Sequence, residues 1–115
     1  MIAKRGFDLL TPQEKDRVVT VLAHRYRRWT LEFLRDGESV STAEDVAIQL
    51  HEWEQERTNL DSQPEDIELA VRHAHLPKLD DTEAIDFDAR SGQVRYRTCE
   101  PVEDCLERLT GTSPL

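Results

Sequence analysis

The chain has 115 residues, of which 37% are hydrophobic and 34% are charged, and its formal net charge is -9. This length allows one small domain with a thin core and excludes a multidomain enzyme. No apolar run reaches the roughly 18 residues of a membrane span, and no signal-peptide pattern is present, so we expect a soluble, cytoplasmic protein.

The charges are uneven in type and along the chain. Twenty-four acidic residues oppose 15 basic ones, and twelve of the basic residues are arginine. An acid-rich, lysine-poor composition is typical of extreme halophiles, because carboxylates hold water and molar salt screens their repulsion. Residues 1–35 carry +4 and residues 36–115 carry -13. Basic residues cluster in two candidate anion-binding surfaces, which are Arg25, Arg27, Arg28 and Arg35 in the first and Arg90, Arg95 and Arg97 in the second.

Capping and periodicity predict the first two helices. Thr11-Pro12-Gln13-Glu14 has the pattern of a capping box with proline at the first helical position, so a helix begins there. From His24 to Arg35 apolar residues recur at steps of three and four, which predicts a second helix or a bent continuation of the first. Asp36-Gly37 ends this helix, and a short strand is expected near Val40.

Two further capping patterns predict the third and fourth helices. Ser41-Thr42-Ala43-Glu44 begins the third helix, and the polar segment Gln55–Gln63 is predicted to be a loop. Ser62-Gln63-Pro64-Glu65 then begins a fourth helix that we expect to reach about Asp81, with a kink at Pro77.

The last third of the chain predicts a hairpin and a short helix. Apolar and charged residues alternate in Ile85–Asp88 and in Gln93–Arg97, and Ala89–Gly92 has the length of a four-residue turn. Beyond them an apolar stripe at steps of i, i+3, i+4 and i+7 predicts an amphipathic helix that packs back on the domain or meets a partner. We expect this stripe to contribute to a dimer interface, through Val102, Cys105, Leu106 and Leu109.

The order of predicted elements is helix, helix, short strand, helix, helix, hairpin, helix. This order predicts a mainly α fold with a small β-hairpin, an α+β winged helix-turn-helix with one added helix. We place this domain at residues 11–98, an N-terminal tail at residues 1–10, and the short C-terminal amphipathic helix and tail at residues 99–115.

Three segments carry a family resemblance. His24–Arg35 and His73–Asp81, followed by the hairpin region Ile85–Tyr96, resemble the small winged-helix domain proteins of halophilic archaea. The similarity covers most of residues 15–97, and its most specific part is His75-Leu76-Pro77-Lys78-Leu79 shortly before a hairpin. The resemblance implies a winged helix that regulates transcription, in a family without an assigned biochemical activity.

The chain departs from that family at two places. Ala84 stands where the family usually has a glycine, at the turn before the first wing strand, so a different backbone angle is expected there. The fourth helix begins Glu65-Asp66-Ile67-Glu68, whereas recognition helices usually present basic or amide side chains to DNA.

The function predicted from these features is sequence-specific binding of double-stranded DNA by a homodimeric transcriptional regulator. The fourth helix would enter the major groove, and the hairpin would act as a wing on the backbone or minor groove. The predicted contacts are Glu68, Leu69, Arg72 and His73 on the helix, and Arg90 and Arg95 on the wing. The alternative is a winged-helix module that binds another protein through its acidic fourth helix or C-terminal stripe.

Each predicted contact has a structural alternative. Arg72 has the spacing for an i,i+4 pair with Glu68 on a solvated acidic surface. Pairing Phe87 with Val94 would place Asp86 opposite Arg95, so Arg95 either binds phosphate or forms a cross-strand ion pair. For the first arginine cluster we favour a structural role over a grip on the DNA backbone.

The sequence predicts neither an enzyme nor a cofactor, a metal or a small-molecule ligand. His73 and His75 are about 200° apart on a helix, and His51 with Glu54 is an isolated i,i+3 pair. Cys99 and Cys105 fit neither a zinc knuckle nor a disulfide framework. A nucleophile beside a base and a glycine-rich phosphate loop are both missing from the pattern.

Overall fold

The computed structural model describes residues 6–37 and 40–110, so residues 1–5 of the predicted N-terminal tail and the predicted C-terminal tail at residues 111–115 lie outside these ranges. The helices are α1 (Pro12–Val21), α2 (Arg25–Asp36), α3 (Ala43–Arg57), α4 (Pro64–Ala70), α5 (Leu76–Asp81) and α6 (Glu100–Thr110). The strands are β1 (Val40–Thr42), β2 (Ile85–Phe87) and β3 (Gln93–Tyr96). Mostly helical, with one small antiparallel sheet, the described chain has the predicted α+β fold.

Side-chain caps separate α1 from α2. The Thr11 hydroxyl accepts a hydrogen bond from the Glu14 amide at 3.2 Å, and the Glu14 carboxylate accepts one from the Thr11 amide at 2.8 Å. The predicted capping box is therefore confirmed. Nδ1 of His24 accepts a hydrogen bond from the Tyr26 amide at 3.0 Å, so α2 begins with its own cap and does not continue α1.

Helix α3 begins later and ends later than the sequence predicts. Thr42, the last residue of β1, is the N-cap in place of Ser41, and its hydroxyl accepts a hydrogen bond from the Asp45 amide. The helix continues to Arg57, so the predicted loop from Gln55 onward was wrong for its first residues. Glu54 accepts hydrogen bonds from Arg25 and Tyr26, and Arg57 donates to Glu32, so this polar end of α3 is held against α2.

The predicted fourth helix consists of α4, a π-helical turn at Val71–His75, and α5. Gln63 is its N-cap, without a side-chain hydrogen bond, in place of the predicted Ser62. The irregularity precedes Pro77: the Leu76 amide donates to the Val71 carbonyl across the wide turn. Proline has no backbone N–H to donate to the preceding turn, and its ring crowds the carbonyl four residues back. One extra residue in the turn gives the ring room.

The sheet has the order β1-β3-β2, and both pairs are antiparallel. Phe87 pairs with Val94, so the predicted hairpin register is confirmed. Gly92 closes the hairpin turn with φ 78°, in the left-handed region. At the turn before β2 the left-handed residue is Glu83, with φ 66°, while Ala84 is buried with ordinary backbone angles. The left-handed position of this turn is therefore one residue before Ala84.

Helix α6 packs against α1 and against a 3-10 turn at Phe7–Leu9, which lies within the predicted N-terminal tail. Three members of its apolar stripe are buried in the core of the same chain, Val102, Cys105 and Leu106. The dimer contact that we expected there is therefore wrong for these three residues, because the stripe packs back. Leu109 is 53% exposed and remains available to a partner.

Candidate nucleic-acid interface

The outer face of α4 and the following turn is exposed because the opposite face is in the core. Ile67 and Val71 are buried, which turns the predicted contact residues outward. Leu69 is 60% exposed and His73 is also exposed, whereas Glu68 and Arg72 are half-buried. The fold thus presents an apolar and an imidazole side chain at the positions where a recognition helix would contact base edges.

Arg72 connects this helix to the hairpin turn. Its Nε donates to the Glu68 carboxylate at 3.1 Å, so the i,i+4 pair that the spacing allows is formed. Its Nη1 lies 3.1 Å from the point where a Cβ on Gly92 would be, so the guanidinium rests against the turn. Arg72 is therefore held between the helix and the wing, and its role differs from that of a free side chain reaching for a base.

The two predicted wing cations are exposed. Neither Arg90 nor Arg95 forms an ion pair with a residue in the described ranges. Asp86 is opposite Arg95 as predicted, but its carboxylate pairs with Arg97 at 3.3 Å, so the expected Asp86–Arg95 ion pair is not formed. Arg95 remains on the solvent side of β3.

Hydrogen bonds to Asp88 hold the hairpin tip around Arg90. The Asp88 carboxylate accepts a hydrogen bond from the Arg90 amide at 3.0 Å, and the Gly92 amide donates to the Asp88 carbonyl at 2.7 Å. The hydrogen bond from the Arg90 amide, followed by that from Ser91, lowers the pKa of the Asp88 carboxyl. These hydrogen bonds from backbone amides fix the tip, and the Arg90 side chain takes no part in them.

Acidic groups border the same surface. Glu65 and Asp66 are exposed in the first turn of α4. Their negative charges interact favourably with the helix dipole there but would repel a phosphate. Beside them a groove of about 250 Å³ runs between α3 and α4, lined by Ala47, Ile48, His51, Pro64, Glu65 and Glu68. Ile48 at its edge is 58% exposed. The groove combines apolar side chains with a carboxylate rim.

The first arginine cluster is structural, as favoured from the sequence. Nη2 of Arg25 lies 2.6 Å from the carboxylate of the buried Glu54. Nη1 of Arg27 lies 3.0 Å from Nδ1 of the buried His75, and its Nε donates to the Val21 carbonyl. Arg28 donates to the carbonyls of Leu22 and Ala23, and Arg35 pairs with Asp36. Three of these four cations therefore hold the end of α1 and the start of α2 in place.

Glu54 is the buried charge that sequence reasoning missed. Its carboxylate accepts hydrogen bonds from the Tyr26 hydroxyl at 2.6 Å, from Arg25 and from the Ser62 amide at 3.2 Å. Burial alone would raise its pKa, but these hydrogen bonds outweigh burial and lower the pKa to about 2. The signal was present: Glu54 lies four residues after Leu50 and seven after Ala47, on the apolar face of α3.

The half-buried His24 packs against the buried His75. The ring centroids of His24 and His75 are 4.4 Å apart. Burial, with the nearby charges of His24 and Arg27, lowers the pKa of His75 to about 4. His73 points to solvent, away from this pair, and residues 6–37 and 40–110 contain no cluster of three or more potential metal ligands.

A family model described as a domain of unknown function (DUF7344) matches residues 19–95. The chain belongs to this family. The matched region runs from the end of α1 to β3 and thus includes α2 to α5, the Arg72–Gly92 contact and both wing cations, while α6 lies outside it. No curated protein and no solved structure matches the chain. In the described ranges, every helix is too short or too polar to cross a lipid bilayer.

Proposed function

We propose that this domain is a winged helix-turn-helix that binds double-stranded DNA as a homodimeric transcriptional regulator. The observation that carries the proposal is the contact of Arg72 with Gly92, which fixes the wing turn beside the outer face of α4. A helix face and a hairpin tip fixed to each other can engage a groove and the adjacent backbone together. Helix, strand, two helices and hairpin also follow in the order of a winged helix.

Each side chain has a distinct role in this proposal. Leu69 and His73 contact base edges, because they are the exposed members of the helix face. Arg90 and Arg95 bind phosphates, because no carboxylate in the described chain neutralises them. Arg72 positions the wing, with Glu68 orienting its guanidinium at 3.1 Å.

The net charge of -9 sets the conditions for binding. At ordinary salt DNA affinity draws on counterion release, and an acidic protein is repelled by DNA. We propose a halophilic archaeal source, where a Debye length of roughly 3 Å at molar salt removes most of that repulsion. Specificity then depends on groove contacts and DNA shape, and two local arginines suffice for the backbone.

The decisive experiment is selection of duplexes from a randomised library by the purified chain in about 2 M KCl, where non-specific attraction is suppressed. An enriched palindrome with half-sites one turn, about 34 Å, apart is expected. Arg90→Ala and Arg95→Ala should each lower the salt dependence of binding by about one phosphate contact. Lys78→Ala, which removes an exposed cation of α5, is the control and should leave it unchanged. Absence of enrichment with a folded sample would overturn the proposal.

A second function is favoured by the acidic groove between α3 and α4. An apolar floor with Ile48 exposed, bordered by Glu65 and Glu68, suits a basic amphipathic segment of a partner protein. Ile48→Glu discriminates the two functions: it should abolish partner binding in this alternative and leave the selected DNA site intact in the first. Arg72→Ala should weaken DNA binding in the first alone, because the wing turn would lose its contact with the helix.

A further inference from the structure

One stripe of side chains follows the outer face of α4 into the π-helical turn. Glu65, Leu69 and His73 succeed one another at steps of four residues, which keeps them on one side of the helix, and all three are exposed. The buried Ile67 and Val71 lie on the opposite side, in the core. We term Glu65, Leu69 and His73 the α4 stripe.

The cation beside the α4 stripe is already engaged within the chain. Arg72 Nε donates to the Glu68 carboxylate at 3.1 Å, and Arg72 Nη1 lies 3.1 Å from the position of a Cβ on Gly92. A guanidinium used in this way is not available for the bidentate contact with O6 and N7 of guanine. Residues 64–75 contain no other arginine, no lysine and no side-chain amide. This helix face therefore lacks the usual side chains that read guanine.

Leu69 is the apolar centre of the α4 stripe, and it is 60% exposed. The apolar group that a base edge presents in the major groove is the C5 methyl of thymine. Contact between this methyl and Leu69 would remove apolar surface of both from water, which is favourable in proportion to the area covered. Cytosine has only a hydrogen at the same position, so Leu69 favours thymine over cytosine.

Glu65 restricts the choice of base further. Its carboxylate is exposed one turn before Leu69, and the exposed Asp66 beside it adds a second carboxylate. A carboxylate only accepts hydrogen bonds, so it suits the N6 amino group of adenine and is repelled by the O6 and N7 acceptors of guanine. An A·T pair presents both an amino group and a methyl in the major groove, whereas a G·C pair has no methyl there.

We propose that the α4 stripe selects A·T pairs, with Leu69 packed on a thymine methyl and Glu65 accepting from an adenine amino group nearby. The N-terminal residues of a recognition helix contact base edges in helix-turn-helix complexes, and Glu65 and Leu69 belong to the first two turns of α4. Four residues of helix rise about 6 Å, close to two base-pair steps of about 3.4 Å. His73 can donate to N7 of either purine and does not discriminate.

This inference rests on the proposed function and adds which bases are read. The test is the affinity of the full chain for methyl-deleted forms of the duplex that it selects. Each thymine of that duplex is replaced in turn by deoxyuridine, which lacks only the C5 methyl, and binding is followed by fluorescence anisotropy in about 2 M KCl. At one thymine per half-site the replacement should weaken binding about fourfold, as expected for one apolar carbon removed from contact.

Leu69→Ala should bind the thymine and deoxyuridine duplexes equally, so the fourfold ratio should fall to about one. Loss of a merely structural contribution would instead lower both affinities and keep the ratio. Leu69→Asn, which keeps the size and removes the apolar surface, should also lose the ratio and serves if Leu69→Ala binds too weakly. Leu9→Ala is the matched control, because Leu9 is 71% exposed on the 3-10 turn that packs against α6, and it should keep the ratio.

Glu65→Gln tests the second contact. The glutamine amide can donate to guanine as well as accept from adenine, so this variant should tolerate a G·C pair near the critical thymine where the parent chain excludes one. Continued exclusion of guanine by Glu65→Gln would contradict the role of the carboxylate. Circular dichroism verifies that each variant is folded.

Two results would overturn the inference: a selected duplex in which no replacement by deoxyuridine changes the affinity, or a Leu69→Ala protein that retains the fourfold ratio. Either result refutes the reading of a thymine methyl by Leu69 and leaves the selected duplex, and with it the DNA-binding proposal, intact. A chain that selects no duplex refutes the DNA-binding proposal and this inference together.

Discussion

Nη1 of Arg27 lies 3.0 Å from Nδ1 of His75 inside the protein, so the imidazole must accept the hydrogen bond and stay neutral. The pKa of His75 falls from 6.5 to about 4 in the folded chain, because of burial and of the charges of His24, Arg27, Lys78 and Arg25. The unfolded chain therefore takes up a proton at higher pH than the folded chain does.

We expect the free energy of unfolding to fall by up to about 3 kcal/mol as the pH drops from 6.5 to 4, with the full contribution of His75 present above pH 6.5. His75→Asn keeps an acceptor for Arg27 and cannot be protonated, so it should flatten this part of the profile. Urea unfolding of the parent chain and of His75→Asn at a series of pH values measures the two profiles. Equal slopes in the two proteins would contradict the assignment.

Glu54 should be the most costly carboxylate to remove from α3. Glu54→Ala leaves the buried Tyr26 hydroxyl and the Arg25 guanidinium without their acceptor, and we expect a loss of about 3 kcal/mol in chemical unfolding. Glu54→Gln keeps the shape and should lose less. The exposed Glu52→Ala is the control, with a change within about 0.5 kcal/mol. A similar effect at both positions would refute the buried network.

The Glu54 carboxylate also makes the free energy of unfolding depend on pH, over a more acidic range than His75. The folded pKa of Glu54 is depressed from 4.5 to about 2, so its stabilisation is present above pH 4.5 and is lost as the pH falls toward 2. This loss begins where that of His75 is nearly complete. Glu54→Gln should remove the acid step below pH 4 and leave the step between pH 6.5 and 4 in place.

Gly92→Ala should destabilise the wing. The φ of 78° costs a non-glycine residue about 1–2 kcal/mol, and the new Cβ would meet Arg72 Nη1 at 3.1 Å. In an Arg72→Ala background only the backbone part of the penalty should remain, which a double-mutant cycle measures. Gly6→Ala would bring its methyl group only into ordinary van der Waals contact with Asp104 Oδ2, at 3.8 Å, and φ there is an ordinary -69°, so it should be neutral. A Gly92→Ala protein as stable as the parent would show that the turn is not held this way.

Asp104 should fasten the 3-10 turn at Phe7–Leu9 to α6. Its carboxylate accepts from the Phe7 amide at 3.0 Å, so Asp104→Ala should speed hydrogen exchange at that amide and cost about 1–2 kcal/mol. Asp8→Ala removes an exposed partner of Arg108 but keeps the bond to Phe7, and should change neither quantity appreciably. Unchanged exchange in Asp104→Ala would contradict the contact.

Local chemistry made the hairpin and the helix starts predictable. Alternation with period two fixes which residues of β2 and β3 face the core, so the pairing of Phe87 with Val94 follows from the sequence. The capping box at Thr11 needs only neighbours within one turn. The α3 cap is Thr42, where β1 ends, and the pairing of β1 with the distant strand β3 is not visible in the local sequence.

The buried polar contacts could not be found in the same way. That Glu54 lies on the apolar face of α3 is visible in the sequence, but its partners Arg25 and Tyr26 lie almost 30 residues earlier. The positioning role of Arg72 likewise depends on Gly92, which reaches it only through the fold. The outer face of α4 was predictable from Ile67 and Val71 by periodicity alone.

The π-helical turn at Val71–His75 also determines which way the rest of its helix faces. On an uninterrupted α-helix, Leu76 would lie about 180° from Ile67, but one residue absorbed in the wide turn rotates the later residues of the helix by about 100°. Leu76 and Leu79 are consequently buried on the same side as Ile67. Deleting one residue here would give a more regular helix with a misdirected apolar face, so the length of this segment, and not only its composition, determines how the helix packs.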